Sequence, residues 1–151
     1  MFVLKRALVC LCLLLVVAPV RAFTFSYGNL FDVKDVQIED GAPRLPLARG
    51  KYRNVKLLSK KLYVFLSACH TDCRYDVKER RFAADDYRKA FTNDRMMIAD
   101  VTFNDEIIVT FLVFKNKDGF SVKTPEEAFF KDKDLERSVQ KTLTELAEKI
   151  L

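Results

Sequence analysis

The residues of this chain with the most chemical capacity fall within five positions, Cys69-His70-Thr71-Asp72-Cys73. Two thiols at this spacing can cycle between dithiol and disulfide, ligate a soft ion such as Cu(I), or form a permanent bridge that staples a loop. His70 and Asp72 stand between them, where an imidazole and a carboxylate can modulate a thiolate. Cys69 and Cys73 are therefore the candidate catalytic pair, with His70 and Asp72 as modulating residues. His70 is the single histidine of the chain, and nothing nearby in sequence supplies the remaining ligands of a metal site, so its default state is a solvated loop side chain. No metal site and no cofactor are expected.

What the pair can do depends on the elements around it. Leu62-Tyr-Val-Phe-Leu66 is a short apolar run that reads as a strand buried on both faces. A helix beginning after Ser59 competes with it, because Leu58, Leu62, Phe65 and Cys69 also fit 3,4 spacing; length and the Tyr-Val-Phe content favour the strand. After the pair, Ala83, Tyr87 and Phe91 recur at i, i+4 and predict a helix running to about Phe91. Cys69 would then sit at a helix N-terminus, where unpaired N–H groups and the helix dipole stabilise a thiolate, with Cys73 as resolving thiol. Within an undistorted helix the two Cβ atoms would stand about 5–6 Å apart, against about 3.8 Å in a relaxed disulfide. A bond between them thus requires Cys69 to lie just outside the helix, or stores strain.

The rest of the chain is read more coarsely. Residues 23–50 are expected to form an irregular, extended arm in which Val33, Val36 and Ile38 could line one short strand, punctuated too often for a long element by Gly28, Gly41, Pro43, Pro46 and Gly50. Tyr52 to Leu58 alternates like an edge strand, with Val55 and Leu57 on one face. Met96 to Phe103 and Ile107 to Phe114 are strands joined by little more than Asn104-Asp105-Glu106, and the Asp118-Gly119 turn leads into a third, Phe120 to Lys123. Thr124-Pro125-Glu126-Glu127 has the form of a capping box opening a helix. Leu135, Val139, Leu143, Leu146 and Ile150 make one helical stripe suited to packing on a sheet, with Asp134 as a candidate cap. The acidic pairs Asp85-Asp86 and Asp105-Glu106 read as helix-surface and turn charges rather than a hydrolytic dyad.

With 50% hydrophobic and 31% charged residues in 151 positions, the chain can bury one core and is not a low-complexity or disordered acidic sequence. Residues 1–22 have the form of a signal peptide: Lys5 and Arg6, then the apolar run Ala7 to Val20, then Val20-Arg21-Ala22 at the expected cut. Cleavage leaves 23 basic against 21 acidic residues, a net charge of +2, and leaves Cys69 and Cys73 as the remaining thiols. An even pair in an exported chain suits an oxidising compartment, periplasmic or extracellular. The modest charge and the absence of a Lys/Arg stripe with interleaved aromatics exclude nucleic acid as a partner. No membrane association is expected once the signal is removed.

Apolar strand, cysteine pair, amphipathic helix, strands at Met96 to Thr102, Thr110 to Lys115 and Phe120 to Lys123, and a terminal helix resemble the order of the thioredoxin-like fold. Arg81-Phe82, Lys89-Ala90-Phe91 and Ala99-Asp100-Val101-Thr102-x-Asn104-Asp105 are similar to the thioredoxin-like domain of periplasmic thiol-disulfide interchange proteins. The resemblance implies an α/β three-layer sandwich, a mixed sheet with flanking helices, over residues 51–151. It also implies a redox-active centre in which Cys69 attacks and Cys73 resolves, with protein thiols or disulfides as partners. The sequence departs from that family in its three-residue spacing, in lacking a proline before Thr110, and in lacking a crossover helix between the second and third strands. The Cys-x-x-x-Cys pair is also similar to copper chaperones of cytochrome oxidase assembly. Tyr63-x-x-x-Ser67-Ala-Cys69-His70-Thr-Asp72-Cys73 resembles the bridged loop of periplasmic lysozyme inhibitors, which implies a non-enzymatic binding module with a structural disulfide.

Overall fold

The computed structural model describes residues 21–151, so the expected signal peptide lies almost wholly outside the described residues. In chain order the first elements are β1 (Phe23–Tyr27), β2 (Phe31–Glu39), β3 (Ala42–Arg44), β4 (Val55–Leu57), α1 (Lys60–Ser67) and β5 (Cys73–Tyr75). They are followed by β6 (Phe82–Lys89), β7 (Met96–Phe103), β8 (Ile107–Asn116), β9 (Gly119–Lys123), β10 (Ala128–Phe130) and α2 (Lys133–Ile150). The strands form two five-stranded sheets, one ordered β10-β2-β1-β5 with β3 on β2, the other β4-β8-β7-β6 with β9 on β8.

The first sheet is built on an aromatic hairpin. Phe23, Phe25 and Tyr27 alternate strictly along β1 and are buried. In β2 the alternation breaks, since Val33 and Val36 are both buried although three positions apart. Phe25 faces Val33 while Phe23 faces Val36, which places one extra residue on β2, and Asp35 there adopts the left-handed region at φ 59°. This is a β-bulge. Asp40 (φ 52°) and Gly41 (φ 74°) then turn the chain into β3, as a two-residue hairpin with both central residues at positive φ requires. Gly28 (φ 53°) ends β1 where a Cβ would come within 2.7 Å of the Val77 side chain, so only glycine fits both the backbone and the space.

The second sheet centres on β7 and β8, paired over eight residues from Met96↔Phe114 to Phe103↔Ile107. Met97, Ala99, Val101 and Phe103 on β7, with Ile107, Val109, Phe111 and Val113 on β8, are fully buried. They meet the first sheet through aromatic rings: Phe31 lies 4.9 Å from Phe130 and 5.4 Å from Phe103, and Phe111 lies 5.9 Å from Phe130. Burying side chains of this size contributes about 1.5–3 kcal/mol each before entropy is counted. The other edge of β8 is divided, β4 pairing with residues 107–109 and β9 with residues 112–116. α2 lies against β6, β8 and β9 and adds Leu135, Val139, Leu143 and Ala147 to the same core. Its N-cap is Asp132, which accepts from the Leu135 N–H at 3.0 Å and is gripped by Arg80 at 2.7 and 2.9 Å. That ion pair holds the Asp132 carboxyl below its usual range.

The thioredoxin-like three-layer sandwich is therefore not the fold. The described residues are mostly β, with two packed sheets and two helices among them rather than a central sheet flanked by helices. Four local readings fail with it. Leu62 to Leu66 is helical, in α1, and not a strand; the N-cap Ser59, whose Oγ accepts from the Leu62 N–H at 3.2 Å, selects the 3,4 spacing over the β-branched content. The helix expected to run to Phe91 is replaced by β5 and β6. Ala83, Tyr87 and Phe91, which suggested it, are all exposed, because β6 pairs with β7 from Phe82↔Phe103 to Lys89↔Met97 and that pairing overrides local periodicity. No helix opens at Thr124 either. Its hydroxyl donates to Glu136 at 2.8 Å, and residues 125–127 lead into β10. Residues 23–50, expected as an irregular arm, instead supply β1, β2 and β3.

Candidate functional site

The cysteine pair lies on the crossing from α1 to β5. Leu62 and Leu66 anchor α1 in the core, and the helix is finished by Ala68 and Cys69, whose N–H groups donate to Phe65 O at 3.2 Å and Leu66 O at 3.0 Å. Cys69 is thus at a helix C-terminus, the reverse of the expected placement. What faces it is a carbonyl, Phe65 O, to which its Sγ donates at 3.5 Å. The N–H groups that stabilise an anion stand at the far end of α1. Four residues later the chain enters β5, where Cys73 pairs with Phe25 of β1 in parallel register.

Both cysteines are thiols here, Cys69 buried and Cys73 half-buried, and the pair stands at 2.5 Å. Cys69 lies outside the helix, the condition for a bond at this spacing without strain. The Cys73 thiol is pushed up to about 12 from an ordinary 9.0, first by burial, then by its contact with Cys69 and by the Asp72 carboxylate. It stays protonated at neutral pH and is a poor nucleophile. Asp72 Oδ1 accepts from the Thr24 N–H at 2.8 Å and so ties the 70–72 loop to β1. His70 is exposed and makes no hydrogen bond among the described residues. No three His, Cys, Asp or Glu side chains gather into a possible metal site among those residues.

A second polar cluster joins the two sheets. Glu106, in the β7–β8 connection, accepts from Tyr27 OH at 2.5 Å and from Tyr75 OH at 2.9 Å, and Asn104 Nδ2 donates to Tyr27 OH at 3.2 Å. The turn that presents Glu106 depends on left-handed backbone at Asn104 (φ 52°) and Asp105 (φ 57°). Burial, followed by the Glu106 contact, pushes the Tyr75 hydroxyl up to about 12 and raises that of Tyr27 further. Both tyrosines are neutral donors to a charged acceptor, an arrangement that clamps β1 and β5 to the second sheet. The sequence reading took Glu106 for a surface turn charge. Its partners stand 79 and 31 positions away, and no local pattern carries such a contact.

The outer face of the second sheet carries a cleft of about 550 Å³. Its floor is apolar. Met96 and Ile98 of β7 lie directly across from Phe114 and Leu112 of β8, and all four are half-buried. At one end Thr110 Oγ1 donates to Asp100 Oδ1 at 2.6 Å, so these polar groups satisfy each other. One wall is the 48–54 segment, a small hairpin closed by the Ala48↔Tyr52 bridge. Beside it, along the same edge of β8, lie Lys123 and Pro125 to Glu127, tied to the first segment by an Asn54–Glu127 hydrogen bond at 3.3 Å. No histidine, cysteine or serine is among the residues lining the cleft. Its sequence signal was the unbroken apolar run Ile107 to Phe114, interrupted only by Thr110: an antiparallel strand with one wet face would alternate. In comparisons with known proteins, no family model matches the chain, and no curated protein and no solved structure matches it.

Proposed function

We propose that this chain is an exported, non-enzymatic binding module, stapled by a Cys69–Cys73 disulfide and binding through the outer face of its second sheet. The observation that carries this reading is the setting of the thiols. Cys69 follows a helix C-terminus and meets a carbonyl, while Cys73 is held protonated by burial beside it. An oxidoreductase needs the opposite, an exposed and acidic attacking thiol at a helix N-terminus. Export rests on the basic and apolar pattern of residues 1–22, after which β1 begins at Phe23 with no intervening linker. The reduction potential of the pair tests the reading. A staple titrates below about −300 mV against glutathione and forms no mixed disulfides. A value above about −270 mV, with mixed disulfides lost in Cys69→Ser, would restore the oxidoreductase and discard the binding module.

A further inference from the structure

β6 is the longest unpaired edge among the described residues. It runs for eight residues along one side of the second sheet, whereas the other edge strands, β3, β4, β5, β9 and β10, have three to five. Asp85 to Lys89 are all exposed. The Ala90 N–H donates to Met96 O at 2.8 Å. By antiparallel alternation Arg88↔Ile98 and Asp86↔Asp100 are then the hydrogen-bonded pairs, and Tyr87 and Lys89 turn their N–H and C=O groups away from β7. Among the described residues no strand takes those groups up. A free edge of this kind is a template for one more strand.

The side chains along the edge select the strand. Asp85-Asp86-Tyr87-Arg88-Lys89 carries two negative charges, a neutral aromatic ring and two positive charges, so the segment complements its own reverse. Two copies paired antiparallel about Tyr87 set Asp86 of each against Arg88 of the other, Asp85 against Lys89, and Tyr87 against Tyr87. Moving the axis by one residue puts Arg88 on Arg88 or Asp86 on Asp86, and like charges directly opposite each other destabilise a strand pair. Asp86 and Arg88 already meet along the strand at 3.6 Å, and a second copy completes a ring of four alternating charges. Charges on an edge commonly protect it from pairing; in this order they fix a register instead. The bulge between Ala84 and Asp86 ends the regular edge and confines the ladder to these positions. We infer that the occupant of the β6 edge is a second copy of this chain, joined about a two-fold axis through Tyr87. That axis is normal to the sheet, so the outer faces of both copies, each with its cleft, lie on one side of a continuous sheet. The contact is short and belongs to the weak, reversible class.

The test is sedimentation velocity of the secreted, oxidised protein from about 10 μM to about 1 mM in low salt. A reversible monomer–dimer equilibrium is expected, weakened by added salt. Asp86→Arg and Arg88→Asp each turn both cross-copy contacts into like-charge pairs and should weaken the dimer about ten-fold or more. Mixing these two variants should restore it as a one-to-one heterodimer, and the double exchange Asp86→Arg/Arg88→Asp should restore the homodimer. Recovery on mixing also shows that both variants are folded, as expected for residues outside the core. Tyr87→Pro, which removes an N–H aimed away from β7, should abolish association while the near-ultraviolet dichroism stays unchanged. A monomer at every concentration overturns the inference. So does a dimer that the single variants leave intact, a mixture that does not associate, or a dimer that a phosphine reductant separates. The inference is independent of the thiol chemistry: a redox-active pair discards the binding module and leaves the β6 contact standing, and a strictly monomeric protein with a structural staple does the reverse.

Discussion

The proposed Cys69–Cys73 disulfide should add stability by an amount that its loop length sets. It would close a loop of five residues, from just past α1 to the first residue of β5. The chain-entropy relation for cross-links gives about 2 kcal/mol for a loop that short. The structured part spans 129 residues, Phe23 to Leu151, for which an unfolding entropy of about 2.1 cal/mol/K per residue converts 2 kcal/mol to a melting shift of about 7 °C. Calorimetry of the secreted protein with and without a phosphine reductant, at pH 7, reads this directly, and the reductant leaves both side chains in place so that no cavity complicates the comparison. The oxidised form should melt higher by about 7 °C. A shift below about 2 °C, or two free thiols in the protein as secreted, would refute the staple and with it the inference drawn from the position of Cys69.

Other parts of the structure carry their own expectations. Gly28→Ala forces a left-handed alanine into contact with Val77, and chemical denaturation should show a loss of about 2–4 kcal/mol. Glu106→Ala strands the hydroxyls of Tyr27 and Tyr75 and should cost about 2–4 kcal/mol, with Glu106→Gln costing less because its amide oxygen still accepts. Cys73 and the two tyrosines titrate higher in the folded protein than unfolded, so their stabilising effect is full below their ordinary values of 9.0 and 10.0 and is lost as pH rises toward about 12. Urea midpoints of the reduced protein should therefore fall between about pH 9 and pH 12, and a flat profile there would contradict the burial of these groups. Phe91→Ser, at a side chain wholly exposed in the β6–β7 loop, should leave the melting temperature within about 1 °C.

The parts of the fold legible in the sequence were those governed by local chemistry. The β7–β8–β9 succession follows from two apolar runs and the Asp118-Gly119 turn, and the stripe from Leu135 to Leu143 packs as its period requires. Asp40-Gly41 is the same kind of turn signal, yet the nearby Pro43 and Pro46 draw the eye to a linker; Pro43 in fact lies in the short edge strand β3, where a proline is tolerated. β2 showed only as one short strand at Val33, Val36 and Ile38, because its bulge breaks the period of two at Asp35. β6 was hidden because its exposed edge leaves Ala83, Tyr87 and Phe91 free to mimic a helical face. At the candidate site, the cysteine pair was visible from its spacing, but its chemistry hung on whether Leu62 to Leu66 was strand or helix. Ser59 decides that, through one hydrogen bond. The Glu106 clamp is a product of pairing between distant segments and has no short-range signature.

The first sheet is assembled from widely separated parts of the chain. β2 pairs with β1 beside it, but on its other side Val33 meets Ala128, 95 positions later, and β1 takes β5 as its outer partner. A chain threaded N-terminus first through a translocation channel would deliver Phe23 to Val36 long before Ala128 to Phe130 arrive to cover them. Topologies dominated by such distant pairings fold slowly, because loop closure must precede any gain from contact. In the export proposed above, slow folding of this kind would keep the polypeptide threadable and would also leave an aromatic hairpin unshielded while the remainder emerges. The burden that follows would be a demand for holding factors on the far side of the membrane, heaviest for the segment that crosses first.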